Sequence, residues 1–152
     1  MEIVAHWSTL NIFMGPMEAQ WLDIREDGAG WWLWKNVYDF SSYRFYWRVP
    51  RHGVLELDIT DARSGTVDSR GYLVRQERPE PRRLTVEYAV EMDYDALEQL
   101  TWVLKLSERR AFDPYLSSDR YAVEGRRAPR PLNPWAYRAG SRVRHSRRKG
   151  AT

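Results

Sequence analysis

The chain has 152 residues, of which 43% are hydrophobic and 14% aromatic, enough for one domain with a real core and too few for two. It contains no Cys and three His, which excludes a disulfide framework, thiolate zinc sites and cysteine nucleophiles and leaves little for an imidazole metal site, so neither metal nor cofactor is expected. No run reaches the roughly eighteen apolar residues of a spanning helix, and Met1-Glu2-Ile3-Val4 lacks the pattern of a secretory signal, so no membrane association and a cytoplasmic location are expected.

The net charge of +3 hides an asymmetry. Residues 1–125 carry 15 basic and 21 acidic side chains, a net −6, whereas residues 126–152 carry nine basic and no acidic ones, a net +9. The sequence therefore divides into an acidic body, 1–125, and an Arg/Pro-rich basic tail, 126–152, which shows no apolar periodicity and reads as mostly disordered. Trp135 and Tyr137 are the large rings of that tail and are candidates for docking on the body or on a partner.

Along the body the dominant pattern is alternation with period two, broken by turn residues. Gln20 to Arg25 leads through Glu26-Asp27-Gly28-Ala29-Gly30 into Trp31 to Tyr38, a hairpin with an Asp-Gly turn. Tyr43, Phe45, Trp47 and Val49 alternate with Arg44, Tyr46 and Arg48 before the turn Pro50-Arg51-His52-Gly53. Leu55, Leu57 and Ile59 then alternate with Glu56, Asp58 and Thr60, and Leu84, Val86, Tyr88, Val90 and Met92 with Thr85, Glu87, Ala89 and Glu91. The expected strands are 3–12, 17–25, 30–38, 42–49, 53–60, 66–77, 82–92, 99–107 and 119–125. In the stretch 95–109, Asp95-Ala96-Leu97-Glu98 resembles a helix-capping box, while Trp102, Leu104 and Leu106 alternate as a strand; a turn near 95–100 followed by a strand reconciles the two.

A one-sided meander without amphipathic helices can cover its apolar face by closing on itself. The predicted fold is therefore all-β, a single antiparallel up-and-down barrel of about eight to ten strands, either filled by side chains or holding one small ligand. The inward set Tyr43, Phe45, Trp47, Leu57, Val86, Tyr88 and Val90 lines such a cavity with rings and aliphatics, so these are the candidate ligand-binding residues. Aromatic residues at period-two spacing also form ordinary cores, and that alternative stays open. The run Trp31-Trp32-Leu33-Trp34 places rings on both faces of one strand, so a large ring points outward, to be covered by the N-terminal segment, the tail or a second subunit in a homodimer.

Trp21-Leu22-Asp23-Ile24-Arg25-Glu26-Asp27-Gly28-Ala29-Gly30, then Phe45-Tyr46-Trp47 and Gly53-Val54-Leu55-Glu56-Leu57, resemble the small bacterial lipocalin-like barrels of the calycin group over about residues 1–125. Ala5-His6-Trp7 stands where that group carries Gly-x-Trp, with Ala5 in place of Gly. The resemblance implies a Trp7 ring plugging the barrel floor, with Arg120, Arg126 or Arg127 covering it, and binding of a small apolar or aromatic molecule.

Catalytic signatures are few: the sequence contains no Gly-x-Ser-x-Gly elbow, phosphate loop, dinucleotide fingerprint or His-Glu-x-x-His pair. A shaped apolar cavity can still act by proximity, so the enzymatic alternative is a cofactor-independent cyclase or isomerase of a polyunsaturated metabolite, with Tyr38, Tyr43, Tyr88 and Trp34 as candidate catalytic donors. A third reading, nucleic-acid contact, rests on the basic tail, and the acidic body opposes it.

Overall fold

The computed structural model describes residues 2–10, 12, 18–68, 71–108, 111–112, 118–124 and 133–136, and the backbone of 142–144. Among these the protein is all-β, with strands β1 (Ala5–Ser8), β2 (Glu18–Ile24), β3 (Ala29–Asn36), β4 (Asp39–Arg51), β5 (Val54–Asp68), β6 (Gly71–Tyr94), β7 (Leu100–Leu106), β8 (Arg120–Val123) and β9 (Arg142–Arg144). Every pairing is antiparallel. Strands β1 to β8 close into a ring in the order β5-β4-β3-β2-β1-β8-β7-β6, with β6 returning to β5. No helix of the described residues is long and apolar enough to cross a membrane.

The β2–β3 hairpin shows how the sequence forces its turn. Asp27 Oδ1 accepts from the Ala29 amide, and Gly28 takes φ +81°, a conformation costly for any residue with a Cβ. Gly30 answers a different need: a Cβ there would lie 2.3 Å from the Asp23 carbonyl oxygen and 2.5 Å from the Phe45 ring, so its absence lets Phe45 pack flat across the strand.

The expected strands 53–60, 66–77 and 82–92 are in fact two long ones, β5 and β6, whose antiparallel pairing runs up to Asp68 opposite Gly71. A register shift between Ile59 and Asp61 explains the misreading, because the extra residue moves inward-facing positions from Leu55, Leu57 and Ile59 to Ala62 and so breaks the alternation. Pro79 and Pro81 look like strand breakers but lie within β6, which pairs with β5 along 71–87, with β9 at 71–73 and with β7 along 88–94. Between 74 and 87 its far side meets no described strand, and an open edge tolerates proline. The expected strand 3–12 is confined to 5–8. Over 95–109 the strand reading holds for β7, preceded by a turn in which Asp95 Oδ1 accepts from the amides of Leu97 and Gln99.

Two apolar clusters flank the sheet. The inner one holds Trp7, Leu22, Trp32, Tyr43, Phe45, Leu57, Val86, Leu104 and Tyr121. The outer one consists of Ala19, Trp21, Trp31, Leu33, Phe40, Tyr72 and Val74, with Trp135 packed against it. The outward ring expected from Trp31-Trp32-Leu33-Trp34 is thus Trp31, and a segment of the chain's own tail helps to cover its cluster.

That segment is held by specific contacts. The Arg44 and Arg63 guanidinium groups lie 4.8 and 4.6 Å from the centre of the Trp135 ring, whose Nε1–H donates to Ser42 Oγ. Buried Arg63 donates to the Pro134 carbonyl and to the Glu77 carboxylate. Residues 133–136 and strand β9 therefore contact the body, with Trp135 docked as one of the two rings read as candidates for it; Tyr137 and most other tail positions lie outside the described residues. Trp135→Ala is expected to lower the unfolding free energy by about 1–3 kcal/mol in urea titration, whereas a merely solvated tail would leave it within about 0.5 kcal/mol.

Candidate functional site

Period-two alternation sends one side chain of every second residue into the ring, and those side chains fill most of it. Trp32 from β3 stacks on Tyr43 from β4 at 5.5 Å between centres and on Phe112 at 5.6 Å, the latter with planes 3° apart. Phe112 and Ala111 come from the segment after β7 and enter the core from outside the strand pattern. The Ala111 and Phe112 carbonyls accept from the Arg82 guanidinium, which lies 5.5 Å from the Tyr43 ring centre. Beside this stack, Gln20 Oε1 accepts three hydrogen bonds, from Trp32 Nε1–H, Tyr121 O–H and the Ser118 amide. Burial pushes the Tyr121 phenol well above its usual range, so it is a neutral donor.

Of the residues expected to line a ligand cavity, Tyr43, Phe45, Leu57 and Val86 are buried in this packed interior. Trp47, Tyr88 and Val90 behave differently. They are partly buried and line a half-open pocket of ≈ 600 Å³ at one end of the ring. Its other walls are Glu2, Ile3 and Val4 of the N-terminal segment, Val49, and His52 and Gly53 at the β4–β5 turn. The Tyr88 amide donates to the Gly53 carbonyl, and Trp47 Nε1–H to the Arg25 carbonyl, so both rings sit on fixed backbone. Ile3 closes the floor, since it is buried in the inner core and its carbonyl accepts from Trp7 Nε1–H. Trp7 is fully buried. Arg120 does not cover it: Tyr121 and Val123 take the inward positions of β8, and Arg120 pairs with Asp93 at 2.9 Å; Arg126 and Arg127 lie outside the described residues.

The apolar lining continues beyond the pocket. On the β6–β7 hairpin Met92 and Tyr94 share the face of Tyr88 and Val90, and their cross-strand partners are Trp102 and Leu100. Met92, Tyr94 and Leu100 are all exposed. The opposite face of the hairpin is polar, with Lys105 bridging Glu91 and Asp93; these charges hold the Asp93 carboxyl below its usual range and the Lys105 ammonium above its own. The hairpin thus extends an amphipathic wall beside the pocket.

The candidate catalytic donors are not brought together. Tyr38, at 72% exposure, lies in the β3–β4 turn, Trp34 Nε1–H donates to Glu18, Tyr43 is stacked on Trp32, and Tyr88 alone of the four lines the pocket. A cluster that sequence reasoning missed lies on the outer face of β1. His6 Nδ1 is 3.1 Å from Asp23 Oδ1 and Nε2 is 3.3 Å from Glu124 Oε2, while Trp21 Nε1–H donates to Glu124 Oε1. The imidazole also meets Trp31 edge-on at 5.7 Å. Parity correctly places His6 opposite Trp7, but nothing local announces partners at positions 23 and 124. Among the described residues no group of His, Asp and Glu converges as a metal site. No family model, curated protein or solved structure matches the chain.

Proposed function

We propose that the protein is a lipocalin-like barrel that binds a small apolar or aromatic molecule at its mouth rather than in its interior. The observation that carries this reading is the ≈ 600 Å³ pocket walled by Trp47, Tyr88 and Val90, next to an interior already occupied by Trp32, Tyr43 and Phe112. That volume is in the range of small-molecule sites, and aromatic walls with a few polar groups suit a planar, largely apolar ligand. The enzymatic alternative narrows to the same place, where the ionisable lining groups are Glu2, His52 and Tyr88.

Trp47→Ala and Tyr88→Ala should weaken binding of a naphthalene-type probe about ten-fold or more, read by quenching of Trp fluorescence, while leaving the urea midpoint close to that of the parent. Tyr43→Ala should do the reverse, lowering stability by about 3–5 kcal/mol through loss of a stacked core ring. Loss of binding in Tyr43→Ala with no effect from Trp47→Ala or Tyr88→Ala would place the ligand inside the ring and overturn the proposal.

A further inference from the structure

Strand β6 changes partners part-way along, and the change leaves a stretch of its backbone open. The Tyr88 amide donates to the Gly53 carbonyl on the β5 side, whereas the Glu87 carbonyl accepts from the Ser107 amide on the β7 side. Backbone groups alternate sides along a strand, so those of Ala89, Glu91 and Asp93 face β7, and those of Val90, Met92 and Tyr94 face the line along which β5 would have continued. β5 begins at Val54, and among the described residues no strand takes its place beyond Gly53. The Tyr94 amide donates to Asp93 Oδ1, which leaves the amides of Val90 and Met92 and the three carbonyls directed at the open edge.

The other open edge of β6, between 74 and 87, carries Pro79, Pro81 and a run of charged side chains, all of which deter pairing. The edge at 90–94 has no proline. Val90, Met92 and Tyr94 stand on its apolar face, and its near end opens on the ≈ 600 Å³ pocket that Tyr88 and Val90 line.

We propose that this edge takes up an extended peptide as an added antiparallel strand, with an apolar terminal side chain in the pocket; the inference rests on the pocket being a ligand site and names the class of molecule that fills it. Amides and carbonyls repeating about every 7 Å are matched by the backbone of another strand. Gly53 already occupies the place opposite Tyr88, so the last paired residue of the peptide lies opposite Val90. In the antiparallel direction, which every pairing of this sheet follows, that is its C-terminal residue. The side chain of that residue falls on the face of Val90, beside Tyr88, Trp47 and His52. A second copy of the chain fits less well, because antiparallel self-pairing of 90–94 sets Glu91 and Asp93 against the same carboxylates of the other copy. A peptide with apolar residues at alternate positions and no carboxylate between them meets no such repulsion.

The test is calorimetric titration of the full chain with an acetylated Val-Thr-Val-Thr-Phe peptide, with a naphthalene-type probe as the separate measure of the pocket. The peptide should bind at one site per chain and displace the probe. N-methylation of Phe and the central Val removes the two donors aimed at β6 and should weaken binding about ten-fold or more, whereas N-methylation of the two Thr, whose amides point away, should change it by less than about two-fold. Met92→Pro removes an edge donor that the ladder to β7 does not use, and it should weaken the peptide several-fold while leaving the affinity for the probe in place. Binding of the probe without the peptide, or equal affinity for the two N-methylated forms, would overturn strand addition and leave the pocket reading intact; loss of probe and peptide together would overturn both. A stable dimer that the peptide fails to dissociate would also overturn the proposal, by making a second copy the occupant.

Discussion

Phe112→Ala should lower the unfolding free energy by about 3–5 kcal/mol, out of the roughly 5–15 kcal/mol that holds a domain of this size together. The ring is fully buried, faces Trp32 with near-parallel planes and lies 5.8 Å from Phe45. Its neighbours sit on strands locked by ladders on both sides, so the wall cannot collapse inward and the cavity persists. A dry apolar cavity of that kind admits benzene, and benzene should restore part of the lost midpoint in Phe112→Ala while leaving the parent unmoved. A loss below about 1 kcal/mol would show that the segment after β7 lies on the surface and does not fill the ring.

His6→Ala should also be damaging, at about 1–3 kcal/mol, because buried polar atoms lose their partner. The imidazole lies between Asp23 on β2 and Glu124 just beyond β8, and the Glu124 side chain is only 5% exposed. Removing the ring leaves Glu124 with Trp21 Nε1–H as its side-chain donor and Asp23 without its ring-nitrogen partner. Part of the loss is therefore the penalty of a buried carboxylate oxygen left without its ring-nitrogen neighbour, and His6→Ala combined with Glu124→Gln should be more stable than the sum of the two single losses implies. Strict additivity in denaturant unfolding would show that the cluster is not coupled.

These two predictions also mark what the sequence made legible. Alternation at Tyr43-Phe45-Trp47 and Leu55-Leu57-Ile59 was sufficient for an all-β antiparallel reading, because one-sided burial writes itself into every second residue. It also named Trp47, Tyr88 and Val90, which do line the pocket. It could not separate them from Tyr43, Phe45 and Val86, since parity reports which way a side chain points and not how far along the ring it lies. Phe112 follows no strand period, and His6 acquires its partners from positions 17 and 118 residues away in the chain. Trp135 lies in a stretch whose charge and prolines resemble those of a disordered chain, yet one ring and its hydrogen bond anchor it.

The closure of the ring has a consequence for how the chain reaches its native state. Each pairing from β1–β2 to β7–β8 joins strands consecutive in sequence, so each can zip from its own turn at low entropic cost. The seam between β1 and β8 is different: it brings together the two ends of the body through the register pairs Trp7 with Val123 and Ser8 with Ala122. Such a long loop gains little from so short a ladder until Trp7 is already packed, so the seam is expected to form last and part first. Native-state amide exchange is expected to report this ordering, with the amides of β1 and β8 exchanging through a smaller opening than those of β4 and β5; equal protection of all four strands would show that the molecule does not unlatch at that line.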